Sequence, residues 1–210
     1  MQGSVNAAQG PVVVLGASYA GGWDLNSIAG APIINRGMSG QQSIEMLERF
    51  ERDVVAARPR AVVIWGFIND FFRTTPQDAE QTAVRVRDSY KRMIELARRN
   101  GIEPIIATEV TIRPPDTWSE TLTSWVGSLF GKESYQDRIN RYVLAANQEL
   151  IALAEQERVM MLDFQAALAE KGGRRRREFI QEDGSHVTAA GYAALTSYAT
   201  RILEGYFGAT

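Results

Sequence analysis

Short runs of consecutive apolar residues alternate along the chain with longer stretches in which apolar positions recur every three or four residues. Runs of the first kind suit strands buried on both faces of a sheet, and stretches of the second kind suit helices laid over it. Five runs are candidate strands: Pro11 to Gly16, Pro32 to Asn35, Ala61 to Gly66, Glu103 to Thr108 and Val159 to Leu162. Between the third and fourth, Thr75-Pro76-Gln77-Asp78 reads as a cap with proline at the first helical position. Ala83, Val86, Tyr90, Met93 and Ala97 then line one helical face until Gly101 stops it. A second helix is expected from Ser134, with Ile139, Tyr142, Val143, Ala146, Leu150 and Leu153 turned inward. A last helix runs from Thr188 through Tyr192, Leu195 and Ala199 to Ile202. This alternation predicts an α/β fold: a three-layer sandwich with a five-stranded parallel sheet and helices on both faces. Neither internal repeats nor a long linker interrupts it, so residues 11–210 are expected to form one domain behind a disordered leader, residues 1–10.

Composition narrows the function classes. A hydrophobic content of 45% in 210 residues is enough for a substantial core. The 23 basic and 25 acidic residues are mixed along the chain and nearly cancel, so no global field draws in nucleic acid or an anionic membrane. Absence of cysteine excludes disulfides, thiolate metal sites and cysteine nucleophiles. No apolar run approaches the roughly 18 to 20 residues of an integral membrane segment, and Met1 to Gly10 lacks the charged start and hydrophobic stretch of a signal peptide. A short polar leader is also what remains once a signal has been removed. The compartment, cytoplasmic or periplasmic and secreted, and the oligomeric state therefore stay open.

In a doubly wound sheet the ligand crevice lies beyond the carboxyl ends of the strands, so polar clusters at those ends are the candidates for chemistry. Four such clusters occur: Gly16-Ala17-Ser18, Gly37 to Gly40, Gly66 to Asp70, and Asp183 to His186 ahead of the last helix. Ser18 sits on the turn a nucleophilic serine needs, although the same residues also serve simply to close a strand and cap a helix. His186 is the chain's single histidine, so serine chemistry of the usual kind has no other base to use. Asp183-Gly184-Ser185-His186 spaces a carboxylate three positions ahead of that imidazole, which lets a tight turn fold one onto the other if Gly184 supplies the conformation. Backbone N–H groups at Ser18 and Gly40, with the Asn69 amide, could face the oxyanion of a tetrahedral intermediate. Read singly, each cluster is at least as well explained as turn and cap residues. Together they occupy the right ends of the right strands.

Ser18, Gly40, Asn69 and His186 appear in the order and context of the four blocks that name the GDSL/SGNH hydrolases, a family of serine esterases and lipase-like enzymes that this chain resembles over nearly its whole length. The resemblance implies a flavodoxin-like sheet, a Ser18 nucleophile, a His186 base oriented by Asp183, an oxyanion hole from Ser18, Gly40 and Asn69, and neither metal nor organic cofactor. Two positions depart from the family pattern. The usual Gly-Asp-Ser reads Gly16-Ala17-Ser18, and the proline that commonly follows the histidine is Val187.

The expected partner is thus a small-molecule ester, cleaved by an esterase or lysophospholipase-like activity. A carbohydrate O-acetyl esterase, an acyltransferase and a catalytically silent binding module are the alternatives. Substrate preference is expected from residues 112–133, which are long for a plain connection. Trp118, Trp125 and Phe130 there are candidate pocket residues beneath a lid or pocket wall, or else parts of a surface excursion packed on the core. Arg174-Arg175-Arg176-Arg177 is read as a solvated face, with an anion contact near the catalytic mouth as the sharper alternative.

Overall fold

Five consecutive buried residues, Val12–Gly16 (β1), have no polar side for water and must lie at the centre of a sheet covered on both faces. In a computed structural model, which describes residues 10–113, 133–171 and 173–208, β1 does so. It pairs in parallel with Ala31–Gly37 (β3) on one side and with Ala61–Trp65 (β4) on the other. Glu103–Ala107 (β5) and Met160–Leu162 (β6) extend the sheet beyond β4, again in parallel.

The expected count of five strands is one short. Ser27–Ile28 (β2) pairs antiparallel with Ala31 and Pro32 at the outer edge, giving six strands in the order β2-β3-β1-β4-β5-β6. The connecting residues, Ala29 and Gly30, both have positive φ (47° and 74°), the twist a two-residue hairpin requires. A strand of two residues is too short to leave a periodic signal, which is why the sequence pattern does not reveal it.

The long helices lie where the pattern places them, the last running past Ile202 to Gly208. Ala79–Arg99 (α5) buries Val86, Tyr90, Met93 and Ala97 and stops before Gly101, whose φ is +67°. Thr75 precedes a 3-10 turn, Pro76–Asp78, with Pro76 at its first position, and this turn runs directly into α5. Ser134 caps Tyr135–Glu157 (α6) by accepting the Asp137 N–H at 3.1 Å. Ala189–Gly208 (α8) closes the chain with Leu195, Ala199 and Leu203 buried. Short helices fill the crossovers: Ser18–Gly22 (α1), Ser43–Glu48 (α2), Phe50–Asp53 (α3), Ile68–Phe72 (α4) and Phe164–Leu168 (α7).

Two aromatic clusters support the sheet. Trp65 meets Trp23 and Phe164 edge-on, while Phe67 meets Phe71 and Tyr90 in the same way. From β1 the chain passes first to β3 on one side and later to β4 on the other, so the carboxyl end of β1 lies at the point where the winding reverses. Crevices open at such points. No helix among the described residues is long and apolar enough to cross a membrane.

Candidate active site

Ser18 opens α1 directly at the end of β1 and is half-buried. Its surroundings are knitted from backbone groups. The Gly16 carbonyl accepts the Met38 N–H at 3.0 Å and the Arg49 guanidinium at 2.9 Å. Arg49 is buried, pairs with Asp53 at 2.7 Å and donates through Nε to Gln41. The Gln41 carbonyl in turn accepts the Asn69 amide at 3.0 Å. A continuous set of contacts therefore links the strand end before Ser18 to the turn after Gly40 and to Asn69. One amide hydrogen of Asn69 is used in that link, which leaves the second for another acceptor. Gly40 stands in a left-handed turn (φ +79°), and its carbonyl accepts Arg73 at 2.7 Å.

Two buried carboxylates hold the loop that follows β4. Glu109, fully buried, accepts the N–H groups of Phe67 at 2.9 Å and Ile68 at 3.2 Å, and its other oxygen takes that of Val110. Burial raises its pKa, against the opposing pull of those N–H donors and of Arg175. Asp70 accepts both the N–H and the hydroxyl of Ser43 at 2.8 Å, fastening α4 to the start of α2. Gly66 passes so near that a methyl group on it would come within 2.7 Å of the Ala17 nitrogen, which confines that position to glycine.

The fourth cluster is a surface hairpin. Ile180 and Val187 form an isolated antiparallel bridge, and the Gln181 N–H bonds the His186 carbonyl at 2.9 Å. Within it Asp183 works with both oxygens: Oδ1 accepts the N–H groups of Ser185 and His186 at 2.8 and 2.9 Å, and Oδ2 meets His186 Nδ1 at 2.5 Å. Gly184 takes φ +77°, the conformation the tight turn demands. Burial pushes the Asp183 carboxyl up, but the bonds from His186 and the two N–H groups outweigh it and hold the pKa at about 2. Asp183 is therefore ionised at neutral pH and can accept a proton-bearing Nδ1, leaving Nε2 free to act as base.

Tyr19, which follows Ser18 in the chain, meets this hairpin directly. Its ring stands edge-on to the His186 imidazole with centroids 5.8 Å apart, and its hydroxyl bonds Ser185 Oγ at 3.0 Å. Tyr192 fixes Tyr19 from α8 by donating to its carbonyl at 2.9 Å. So the structure joins Asp183 to His186, brings His186 against the neighbour of Ser18, and joins Asn69 to the turn after Gly40. Trp118, Trp125 and Phe130, and most of the segment expected to carry them over the site, lie outside the described residues.

The arginine run is not uniformly solvated. Arg174, Arg176 and Arg177 are exposed, but Arg175 is 3% exposed and donates through Nη2 to the Ser185 carbonyl. Its burial follows from the bridge between Ala169 and Arg175, which turns this one side chain under the hairpin. Nothing in four identical residues distinguishes it. Glu109 did leave a signal, as a carboxylate just past the apolar run Pro104 to Ala107, where burial requires several donors.

A profile of the GDSL-like Lipase/Acylhydrolase family matches residues 10–194 of the chain. The chain belongs to this family. Solved GDSL-like relatives share its fold: a GDSL-like lipase from Bacteroides thetaiotaomicron VPI-5482 is 20% identical with a TM-score of 0.69, over 94% of this chain and 89% of that one. An acetylxylan esterase from Geobacillus stearothermophilus is 18% identical with a TM-score of 0.68, over 91% and 93%. The uncharacterized lipoprotein YqeF of Bacillus subtilis (strain 168) is 31% identical over 80 residues, which span 38% of this chain and only 33% of that protein. Membership of the GDSL-like family supports ester hydrolysis in the general sense. Both departures from the GDSL motif are buried, Ala17 at 2% exposure and Val187 at 0%, so each stands in the interior.

Proposed function

We propose that the protein hydrolyses carboxylic esters with Ser18 as nucleophile, His186 as base and Asp183 as the carboxylate that orients the base. The observation that carries this reading is the 2.5 Å contact of Asp183 Oδ2 with Nδ1 of the chain's single imidazole, which stands against the residue following Ser18. Ser18 Oγ attacks the ester carbonyl carbon while its proton passes to His186 Nε2. The tetrahedral intermediate collapses, the alcohol leaves with that proton, and water attacks the acyl-enzyme in the same way to release the acid and restore Ser18. Negative charge on the former carbonyl oxygen is met by the N–H groups of Ser18 and Gly40 and by the Asn69 amide. Asp183, ionised well below neutral pH, stabilises the imidazolium formed in each half of the cycle.

Short-chain acyl esters are the second reading, favoured by the fold shared with the Geobacillus acetylxylan esterase. A panel of p-nitrophenyl esters from acetyl to octanoyl tests both readings, with Ser18→Ala as control. That variant should lose activity by at least roughly 10⁴-fold and resist labelling by a fluorophosphonate. Turnover that survives in Ser18→Ala on an ester the parent cleaves would exclude this mechanism. A parent that neither turns over esters nor takes the label would instead be a binding protein on a hydrolase scaffold.

A further inference from the structure

Arg175 is an expensive residue to keep where it is. A guanidinium at 3% exposure has lost its hydration, and among its own donors Nε and Nη1 reach no hydrogen-bond partner. Burial weakens its hold on the proton, opposed by Tyr19, Glu109 and Asp183. Taking a guanidinium out of water costs on the order of several kcal/mol, which a single carbonyl acceptor offsets only in part. Stability is therefore a poor reason for an arginine here. Its contact with the hairpin points to another reason.

That contact is Nη2 on the Ser185 carbonyl, and Ser185 is the residue between Gly184 and His186. The same residue is held on its hydroxyl by Tyr19 at 3.0 Å. Arg175 and Tyr19 also touch each other, the guanidinium carbon lying 5.8 Å from the ring centroid. Bonds made by Asp183 Oδ1 and by Gln181 are internal to the hairpin and set its shape, and the Arg113 N–H on the Gly184 carbonyl ties it to the chain after β5. None of those contacts is made to Ser18 or its chain neighbours. The grip on Ser185 is, because Tyr19 is covalently joined to Ser18.

We propose that Arg175 and Tyr19 clamp Ser185 from two sides and thereby set the distance and aim of His186 toward Ser18. Both are positioning residues, acting through Ser185 and not on the ester. The proposal rests on the hydrolase reading above and adds to it a named source of alignment. Misplacement of a catalytic group by about 1 Å can reduce turnover by roughly 10²-fold, so a clamp of this kind has a measurable consequence.

The test uses the full chain with Arg175→Met, Arg175→Lys and Tyr19→Phe, assayed on the best p-nitrophenyl ester of the parent. Arg175→Met should lower kcat roughly 10- to 100-fold with KM within about twofold, and should melt within a few degrees of the parent. Lysine, which can still reach the carbonyl with one donor, should recover part of the loss. Tyr19→Phe should lower kcat about 3- to 10-fold by releasing the Ser185 hydroxyl. Because His186 is the only histidine, its imidazole gives a single set of NMR signals. The proton shared with Asp183 should persist in Arg175→Met, since that pair is internal to the hairpin, while fluorophosphonate labelling of Ser18 slows in step with kcat. A kcat within twofold of the parent in folded Arg175→Met overturns the clamp, and so does a loss that vanishes after correction for the folded fraction. Should Arg175→Met not fold, Tyr19→Phe decides, an unchanged kcat overturning the proposal. If Ser18→Ala is inactive while both clamp variants are normal, the clamp alone fails. Turnover surviving in Ser18→Ala removes the hydrolase reading itself.

Discussion

The two halves of the candidate site are held by different physics. Ser18, Gly40 and Asn69 stand on sheet ends whose supports are buried and distant in sequence: Arg49 on the Gly16 carbonyl, Asp70 on Ser43, Glu109 on the Phe67 and Ile68 N–H groups. Asp183 and His186 stand on an exposed hairpin shaped by bonds between residues close in sequence, with the Arg113 N–H, one buried arginine and one tyrosine reaching it from the body. The supports of the first half should answer to mutation as a core does, through stability. The second should answer through turnover, with the fold barely disturbed. A hydrolase gains from this division, because its oxyanion donors have to be immobile while its base has to accept and release a proton at every turn.

Asp183→Asn presses hardest on the division. It offers Nδ1 of His186 a donor where an acceptor stood, so kcat should fall roughly 10³- to 10⁴-fold with the melting temperature little changed. A variant that melts early and keeps its kcat would reverse the contrast. Asn69→Ala comes next and should remove about 3 kcal/mol of transition-state stabilisation, visible in kcat more than in KM. Glu109→Ala leaves three buried backbone N–H groups without an acceptor and should cost about 2 to 3 kcal/mol in a urea titration, with activity lost in proportion to unfolding.

The smallest effect is on acid stability. The Asp183 pKa of about 2 lies below its value of about 3.9 in an unfolded chain, so its contribution is complete above about pH 4 and disappears as the pH falls through 2. Asp53, held at about 2 first by Arg52 and then by Arg49, titrates over the same range. Asp183→Asn should therefore flatten only part of the decline in melting temperature between pH 4 and 2, the Asp53 part remaining.

Much of this was legible beforehand. The buried runs Val12 to Leu15 and Ala61 to Trp65 could only be central strands, and Ser134 and Gly101 marked helix ends through local chemistry that needs no partner elsewhere. The Asp183 to His186 spacing was readable for the same reason, since its bonds close within one turn. The edge strand Ser27–Ile28 was not, because two residues carry no period. Nor was the burial of Arg175, because its neighbours in sequence are identical to it.

Sequence alone determined what depends on neighbours along the chain: the strands, the helix ends, the single imidazole and the carboxylate that meets it. Tertiary structure decided which of four arginines goes inside, that Glu109 gathers the N–H groups of residues more than forty positions away, and that Ser185 is gripped by Tyr19 and Arg175. Burial and long-range partnership are properties of the folded surface, and no residue carries them by itself.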